Sequence, residues 1–357
     1  MAKYGKFIRK LRSKTKTKIK TMKLQARQGL GILLLLAGLG LAACGGDSSQ
    51  GSQAAENGIQ AGSSNYPVAT ITILTHSRPG GGSDVFLREL SRYLAPELGA
   101  NIIVKNVTGG SGASALAELA RAEPDGATFY ATTPTFIYTS LLARPAYTYE
   151  DVDPLVNLFI DPELIYTAAD SQFETLDDVL EKARNSRGLW GAANPASLER
   201  QSLEQLKLAT GINNAAVISH EGGGDLMINV LNGTLDIGVG EAQELQSQLE
   251  AGNLRVLATF SDQRLAEFPE VPTVYELGHQ VIVRKFRGLA APQGLSPELI
   301  QRWEAAIQTV LEHPEYKASY LADNLRPNFI AHAEYQEFIN AFASETRDYL
   351  RTVGIVE

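Results

Sequence analysis

The chain has 357 residues, 44% of them hydrophobic and 20% charged, with 32 Lys and Arg, 40 Asp and Glu, and a single cysteine. That length supports two domains of ordinary size, and that composition excludes disorder along the whole chain. The charge is unevenly placed: the first 43 residues hold 11 of the 32 basic residues and no acid, leaving 21 basic against 40 acidic residues beyond them, a formal charge of −19.

The basic stretch ends at Lys23 and Arg27 and runs into Gly29–Leu41 (GLGILLLLAGLGL), then Leu41-Ala42-Ala43-Cys44-Gly45. Such an apolar run is too short to span a bilayer, and small residues at its end mark a cleavage site, so residues 1–43 read as a signal peptide. The segment resembles the lipobox of bacterial lipoproteins, which implies that Cys44 is acylated and becomes the mature N-terminus; a free cysteine after an ordinary signal anchor is the plainer alternative. As the only cysteine, Cys44 allows no disulfide within the monomer. Met22 would start a signal of conventional length, which makes residues 1–21 either a mis-assigned start or a long basic n-region. They are no nucleic-acid arm, because a segment removed with the signal cannot serve the mature protein. Residues 44–65 carry the cysteine and a Gly, Ser, Gln and Ala tether without apolar periodicity, whose coil reach is on the order of 25 Å.

From Tyr66 onward β-rich runs alternate with amphipathic helical patterns, the signature of an α/β architecture with largely parallel sheets. Strands are expected at 68–74, 101–107 and 127–132, with helices at 84–95 and 114–123 between them. A strand at 164–168 precedes a helix at 176–185 capped by Thr175, then a strand at 188–192, a helix at 198–209, a strand at 216–219 and a helix at 225–232. Strands at 237–240, 255–259 and 288–291 follow, and helices at 297–312 and 333–353 end the chain.

Four small-residue loops lie between a strand and a helix: Arg78–Asp84, Thr108–Ser114, Gly191–Ser197 and His220–Asp225. A helix N-terminus offers unpaired N–H groups and partial positive charge, and glycine lets an anion approach the backbone. In open α/β sheets such ends converge on the ligand crevice. Taken singly, each loop is as well explained as a structural turn.

The ordered set RPGGGSD (78–84) with Arg88, Val104-x-Asn106-x-x-Gly109-Gly110-x-Gly112, Pro124-Asp125-Gly126, Gly222-Gly223-Gly224, Leu231-Asn232-Gly233-x-x-Asp236, Ala251-Gly252-x-Leu254-Arg255, Pro269-x-Val271-Pro272-Thr273 and Gly288-x-Ala290-Ala291-Pro292 resembles the substrate-binding proteins of tripartite tricarboxylate transporters, the Bug family. The resemblance runs from about residue 68 to 355. It implies an α/β, two-lobed type II periplasmic-binding-protein fold with the ligand cleft between lobes: lobe 1 from 66–166 and 288–357, lobe 2 from 167–287, with crossovers near 164–168 and 284–288. It also implies capture of a small organic di- or tricarboxylate or related acid, no catalysis and no cofactor. The implied partners are two integral-membrane subunits, approached by a monomer anchored at the extracytoplasmic face of the membrane.

The ligand-binding set implied by the aligned loops is Arg78, Gly81, Gly82, Ser83 and Asp84, then Thr132, Thr133 and Thr135 on lobe 1, with Ala193, Asn194, Ser197, Gly222, Gly223 and Gly224 on lobe 2. His76, Ser77 and Arg78 depart from the apolar or proline residues of many relatives, and His76 and Arg78 can bring positive charge. Arg78 and Arg287 offer a fork that fits a carboxylate, although exposed arginines are common and His76 is equally a hydrogen-bonded strand end. Asp84 competes between ligand and helix capping. By the same alignment Glu241 and Glu244 follow a strand on the cleft side, with solvated surface charges the plainer reading.

Other functions fit less well. Gly110-x-Gly112-x-x-Ala115 lacks the acid about 20 residues on that a dinucleotide fingerprint needs. Gly109–Ala113 misses the last glycine of a serine-hydrolase elbow, and the five histidines show no metal-ligand spacing. A sensor that presents a carboxylate to a membrane receptor kinase, and a ligand-free structural lipoprotein, are the remaining alternatives.

Overall fold

The computed structural model describes residues 66–356, so the expected signal peptide, Cys44 and the tether lie outside the described residues. Among the described residues no helix is long and apolar enough to cross a membrane.

Two sheets form the body. The first has six strands in the order β11-β4-β10-β3-β1-β2, with β1 Thr70–Thr75, β2 Asn101–Asn106, β3 Thr128–Thr132, β4 Val152–Asp161, β10 Lys285–Pro292 and β11 Arg326–Ile330. The second has five in the order β7-β6-β8-β5-β9, with β5 Glu163–Ala168, β6 Gly188–Ala192, β7 Ala215–Ser219, β8 Ile237–Glu241 and β9 Leu254–Thr259. Parallel pairing holds only within β1-β2-β3 and β7-β6-β8; β4, β10, β11 and β5 run antiparallel to their neighbours. The expected largely parallel sheets are therefore mixed, because the strands that carry the chain between lobes enter each sheet from the far side.

The crossovers are tighter than expected. Residues 164–168 already belong to β5 of the second sheet, and Pro162 alone separates it from β4. The return begins at Lys285, where β10 pairs with β4 with Lys285 opposite Asp161. Strand ends are thus 161 and 285, beside the crossovers that the resemblance implies near 164–168 and 284–288.

Amphipathic helices cover both sheets. Helix Gly82–Leu98 turns Phe86, Leu87, Leu90 and Leu94 into the first core, which also holds Trp303, whose ring lies 4.1 Å from that of Phe129. Trp303 Nε1 donates to Tyr66 Oη, which donates to Gly126 O, so the polar atoms of these two rings are satisfied. Helix Leu176–Asn185 starts at a capping box, Thr175 accepting from Asp178 N while Asp178 accepts from Thr175 N. The C-terminal helix His332–Thr352 joins the lobes: Tyr335, Ile339 and Ala343 pack with Phe286 of β10, whereas Leu350 packs in the core of the second sheet.

Candidate ligand-binding cleft

A cleft of about 360 Å³ opens between the two sheets. From the first lobe come the β1 loop and the first turn of helix Gly82–Leu98, including Arg78, Gly81, Gly82 and Ser83, together with Thr133 and Thr135 after β3. From the second come Ala193 and Asn194 after β6 and Gly222, Gly223 and Gly224 at the head of helix Gly223–Leu231. These residues were expected to converge, and they do so because each stands where a parallel strand hands over to its helix.

Three members of the expected set are placed elsewhere and serve the framework. Asp84 is buried and accepts from Gly80 N, from Arg88 Nε and Nη2, and from Asn106 Nδ2. Burial alone would raise its carboxyl, but these donors outweigh that and hold it below the usual range. Thr132 is buried with its hydroxyl 2.8 Å from Tyr335 Oη. Ser197 caps helix Leu198–Thr210 by accepting from Arg200 N. The loop Thr108–Ser114 stands behind the wall, where Gly112 leaves no more than contact room for the His76 side chain and Ser111 O accepts from Thr139 Oγ1.

The basic residues also differ from the expectation. Arg78 lies at the mouth and its guanidinium reaches across to lobe 2, 3.2 Å from Asp225 and 3.3 Å from Glu221. Both pairs are exposed, so each contributes only about 0–1 kcal/mol and acts as a latch between lobes. Burial pushes His76 down to about 4, so it is neutral at physiological pH, and its Nδ1 lies 3.0 Å from Tyr130 Oη. Arg287 is buried, 1% exposed, paired to Asp161 and Glu241 and hydrogen-bonded to Ser83.

The floor of the cleft holds what the sequence did not reveal. Lys285, also buried, sends its ammonium to Glu163 at 2.9 Å, Glu199 at 2.8 Å and Glu241 at shorter range. The three carboxylates have the mutual spacing of a metal site, but Lys285 Nζ stands among them and supplies the positive charge. Glu163 and Glu241 are direct partners in the β5-β8 ladder, two acids side by side that this ammonium makes tolerable. Glu244 packs its carboxyl onto Gly223. Glu241 and Glu244 are therefore cleft-wall groups and not the solvated charges of the plainer reading.

Burial raises the Glu163 carboxyl to about 8, with Lys285 opposing and Glu199 reinforcing, and raises Glu244 to about 8, reinforced by Glu199 and Glu163. A carboxyl raised on folding keeps a proton that the unfolded chain has released, so its contribution is whole below the unfolded value of 4.5 and is lost as pH rises through 8. His76 acts oppositely, costing stability only as pH falls below its unfolded value of 6.5. Between pH 6.5 and 8 the melting temperature should therefore fall, and Glu244→Gln should flatten the fall. A midpoint that rises with pH in both chains would contradict the buried, protonated carboxyls.

Two α/β lobes, two adjacent crossovers and a cleft headed by glycine-rich helix starts define a solute-binding protein of the periplasmic-binding type. The family profile described as "Tripartite tricarboxylate transporter family receptor" matches residues 86–354, and the chain belongs to that family of solute-binding receptors. Among curated relatives, a UPF0065 protein in the gbd 5' region of Cupriavidus necator is 25% identical over 84% of this chain and 91% of its own length. Protein BugT of Bordetella pertussis is 26% identical, covering 73% of this chain and 82% of its own. Solved structures share the fold: the periplasmic binding protein BugD superposes with TM-score 0.76 at 21% identity, covering 82% of this chain and 99% of that one. MatC from Rhodopseudomonas palustris with bound malate gives 0.72 at 21% identity over 79% and 99%, and R. palustris Rpa4515 with adipate gives 0.76 at 21% over 82% and 99%.

Proposed function

We propose that this protein captures a small organic carboxylate outside the cytoplasm, held to the membrane by a lipid on Cys44, and delivers it to the two integral-membrane subunits of a tripartite tricarboxylate-type transporter. The observation that carries this is the cleft itself, in which Gly81–Ser83 and Gly222–Gly224 bring the starts of two helices from opposite lobes to one space. Helix starts supply N–H groups and positive potential, so a carboxylate is held without a dedicated free cation. The malate and adipate bound by two proteins of the same fold support this class of ligand. Binding closes the lobes about β4-β5 and β10, and the closed outline is what a membrane subunit recognises.

Thermal unfolding of the purified chain against three- to eight-carbon acids, with and without amino groups, tests this. A ligand at 100 times its Kd adds about 2.7 kcal/mol and raises the midpoint by several degrees. No response to any acid in the panel would reject a carboxylate receptor. The anchor is tested separately: Cys44→Ser should move the protein from the membrane to the soluble fraction, and an unchanged distribution would reject acylation there.

A further inference from the structure

We infer that Glu244 enters capture as a neutral carboxylic acid, its O–H donating to a carboxylate oxygen of the ligand, so that binding is linked to one proton held by the protein. This rests on the carboxylate-receptor proposal and adds the residue that regulates it.

The first reason is placement. Glu244 lines the cleft, and its carboxyl fills the space beside Gly223, where a side chain on that glycine would overlap it. Its other side meets Gly240, whose added Cβ would stand 3.0 Å from Glu244 Oε2. The carboxyl thus lies against backbone carbon on two sides, and no group among the described residues gives it a hydrogen bond or an ion pair. The N–H groups at the start of helix Gly223–Leu231 are left to the ligand, which brings an incoming carboxylate next to Glu244.

The second reason is what surrounds the group. Glu163 of β5, Glu199 of helix Leu198–Thr210 and Asp161 of β4 all act on Glu244, and Glu241 stands at the start of its own helix. The Tyr166 phenol of β5, driven far above its ordinary value by burial, is neutral. Asp225, on the helix that presents Gly223, is held by Arg78. The two cations of β10 are committed: Lys285 to Glu163, Glu199 and Glu241, and Arg287 to Asp161 and Glu241. Burial would raise Glu199, but Lys285 outweighs that and holds it down at about 2, so at least one ionised acid already acts on Glu244. A neutral Glu244 is what burial and these neighbours together favour.

The third reason is the chemistry of the encounter. An ionised Glu244 would set two carboxylates side by side with no free cation between them. A protonated one gives a short O–H···O⁻ bond, about twice as strong as a neutral pair, and a carboxyl kept neutral at pH 7 by its site can serve as a donor in this way. The other lobe supplies a matching group: Thr133 is 2% exposed, lines the cleft and has no hydrogen-bond partner for its hydroxyl among the described residues. Two neutral O–H donors and two helix starts, one of each from either lobe, hold an acid without a free cation.

The test is calorimetry of the purified chain at pH 7, 8 and 9 with malate, glutarate, adipate and the other three- to eight-carbon dicarboxylates, which stay ionised over that range. Because Glu244 titrates at about 8, affinity should fall about tenfold from pH 7 to pH 9, and binding at pH 9 should take up about one proton, read from the dependence of the heat on buffer. Glu244→Gln should bind about threefold more weakly at pH 7, the amide being the poorer donor, yet keep that affinity to pH 9 and there exceed the native chain. Glu244→Ala, with no donor, should lose about tenfold or more at pH 7. Infrared difference spectra of the empty chain between pH 7 and pH 9 read the proton without a ligand: the C=O band of protonated carboxyl should weaken, and by less in Glu244→Gln. Affinity that stays level from pH 7 to pH 9, or a fall that persists in Glu244→Gln and so belongs to Glu163, overturns the inference and leaves the carboxylate proposal standing. An infrared difference that the substitution does not change has the same consequence. Silence from every acid rejects both.

Discussion

Lys285→Met should destabilise the folded chain by about 3–5 kcal/mol, the range seen when one partner of a buried ion pair is removed. Lys285 is 3% exposed and its ammonium is met by Glu163, Glu199 and Glu241, two of them opposite each other across β5 and β8. Burial lowers an ammonium, but these carboxylates outweigh that and hold Lys285 above its ordinary value, so it is charged at every physiological pH. Without it the carboxyls must either repel one another in a dry site or take up protons. Urea unfolding at pH 7 reads the loss directly, and a second change, Glu199→Gln, should recover part of it because one of the stranded carboxylates is then neutral. A loss under about 1 kcal/mol would show a solvated lysine of the surface kind.

Gly288→Ala should cost about 1–3 kcal/mol, the usual penalty of overpacking. Gly288 lies on β10 opposite Asn157 of β4, beside a register shift, and a Cβ there would stand 2.5 Å from Val156 O and 2.5 Å from Tyr335 Oη. One of those atoms is backbone and cannot rotate away. The other holds Thr132, so the methyl group also strains the hydrogen bond that fastens the C-terminal helix to β3. The melting temperature should fall by several degrees, and adding Tyr335→Phe should restore only part of it, since the Val156 carbonyl remains. Gly224→Ala is the control: open space surrounds that Cβ, and a change beyond about 0.5 kcal/mol would argue that the backbone and not the clash is responsible.

The elements most legible in the sequence were those with strong local signals. Thr175 followed by Asp178, then Leu176, Val179, Leu180 and Ala183 at helical spacing, announced a helix from 176 to 185, and those apolar residues are its buried face. Others were hidden by their own composition. β4 contains Pro154, which argues against a strand; it is tolerated because β11 pairs only with residues 157–160, so no neighbour on that side needs its missing N–H. Helix Pro134–Ala143 has no counterpart among the expected elements, though Pro134 is well placed at a helix start. Helices Ala242–Ala251 and Pro314–Ala322 and strand β11 were also missed, the first because its polar run obscures the apolar stripe.

The cleft divides in the same way. Strand-loop-helix order is a local property, so the glycine loops at 80–83 and 222–224 could be matched to helix starts before any contact was known. The family pattern, the acidic body and the lone Cys44 were likewise complete in the residue order. What only the tertiary structure decided is which charges meet. Lys285 joins partners 44, 86 and 122 residues away, and Arg78 is committed to Glu221 and Asp225 on the other lobe. Nothing in the local pattern separates such a lysine or glutamate from an exposed one. Burial makes the difference, and burial follows from how β4, β5 and β10 bring two lobes together: that packing turns ordinary acids and a lysine into the buried ionic cluster at the floor of a cleft.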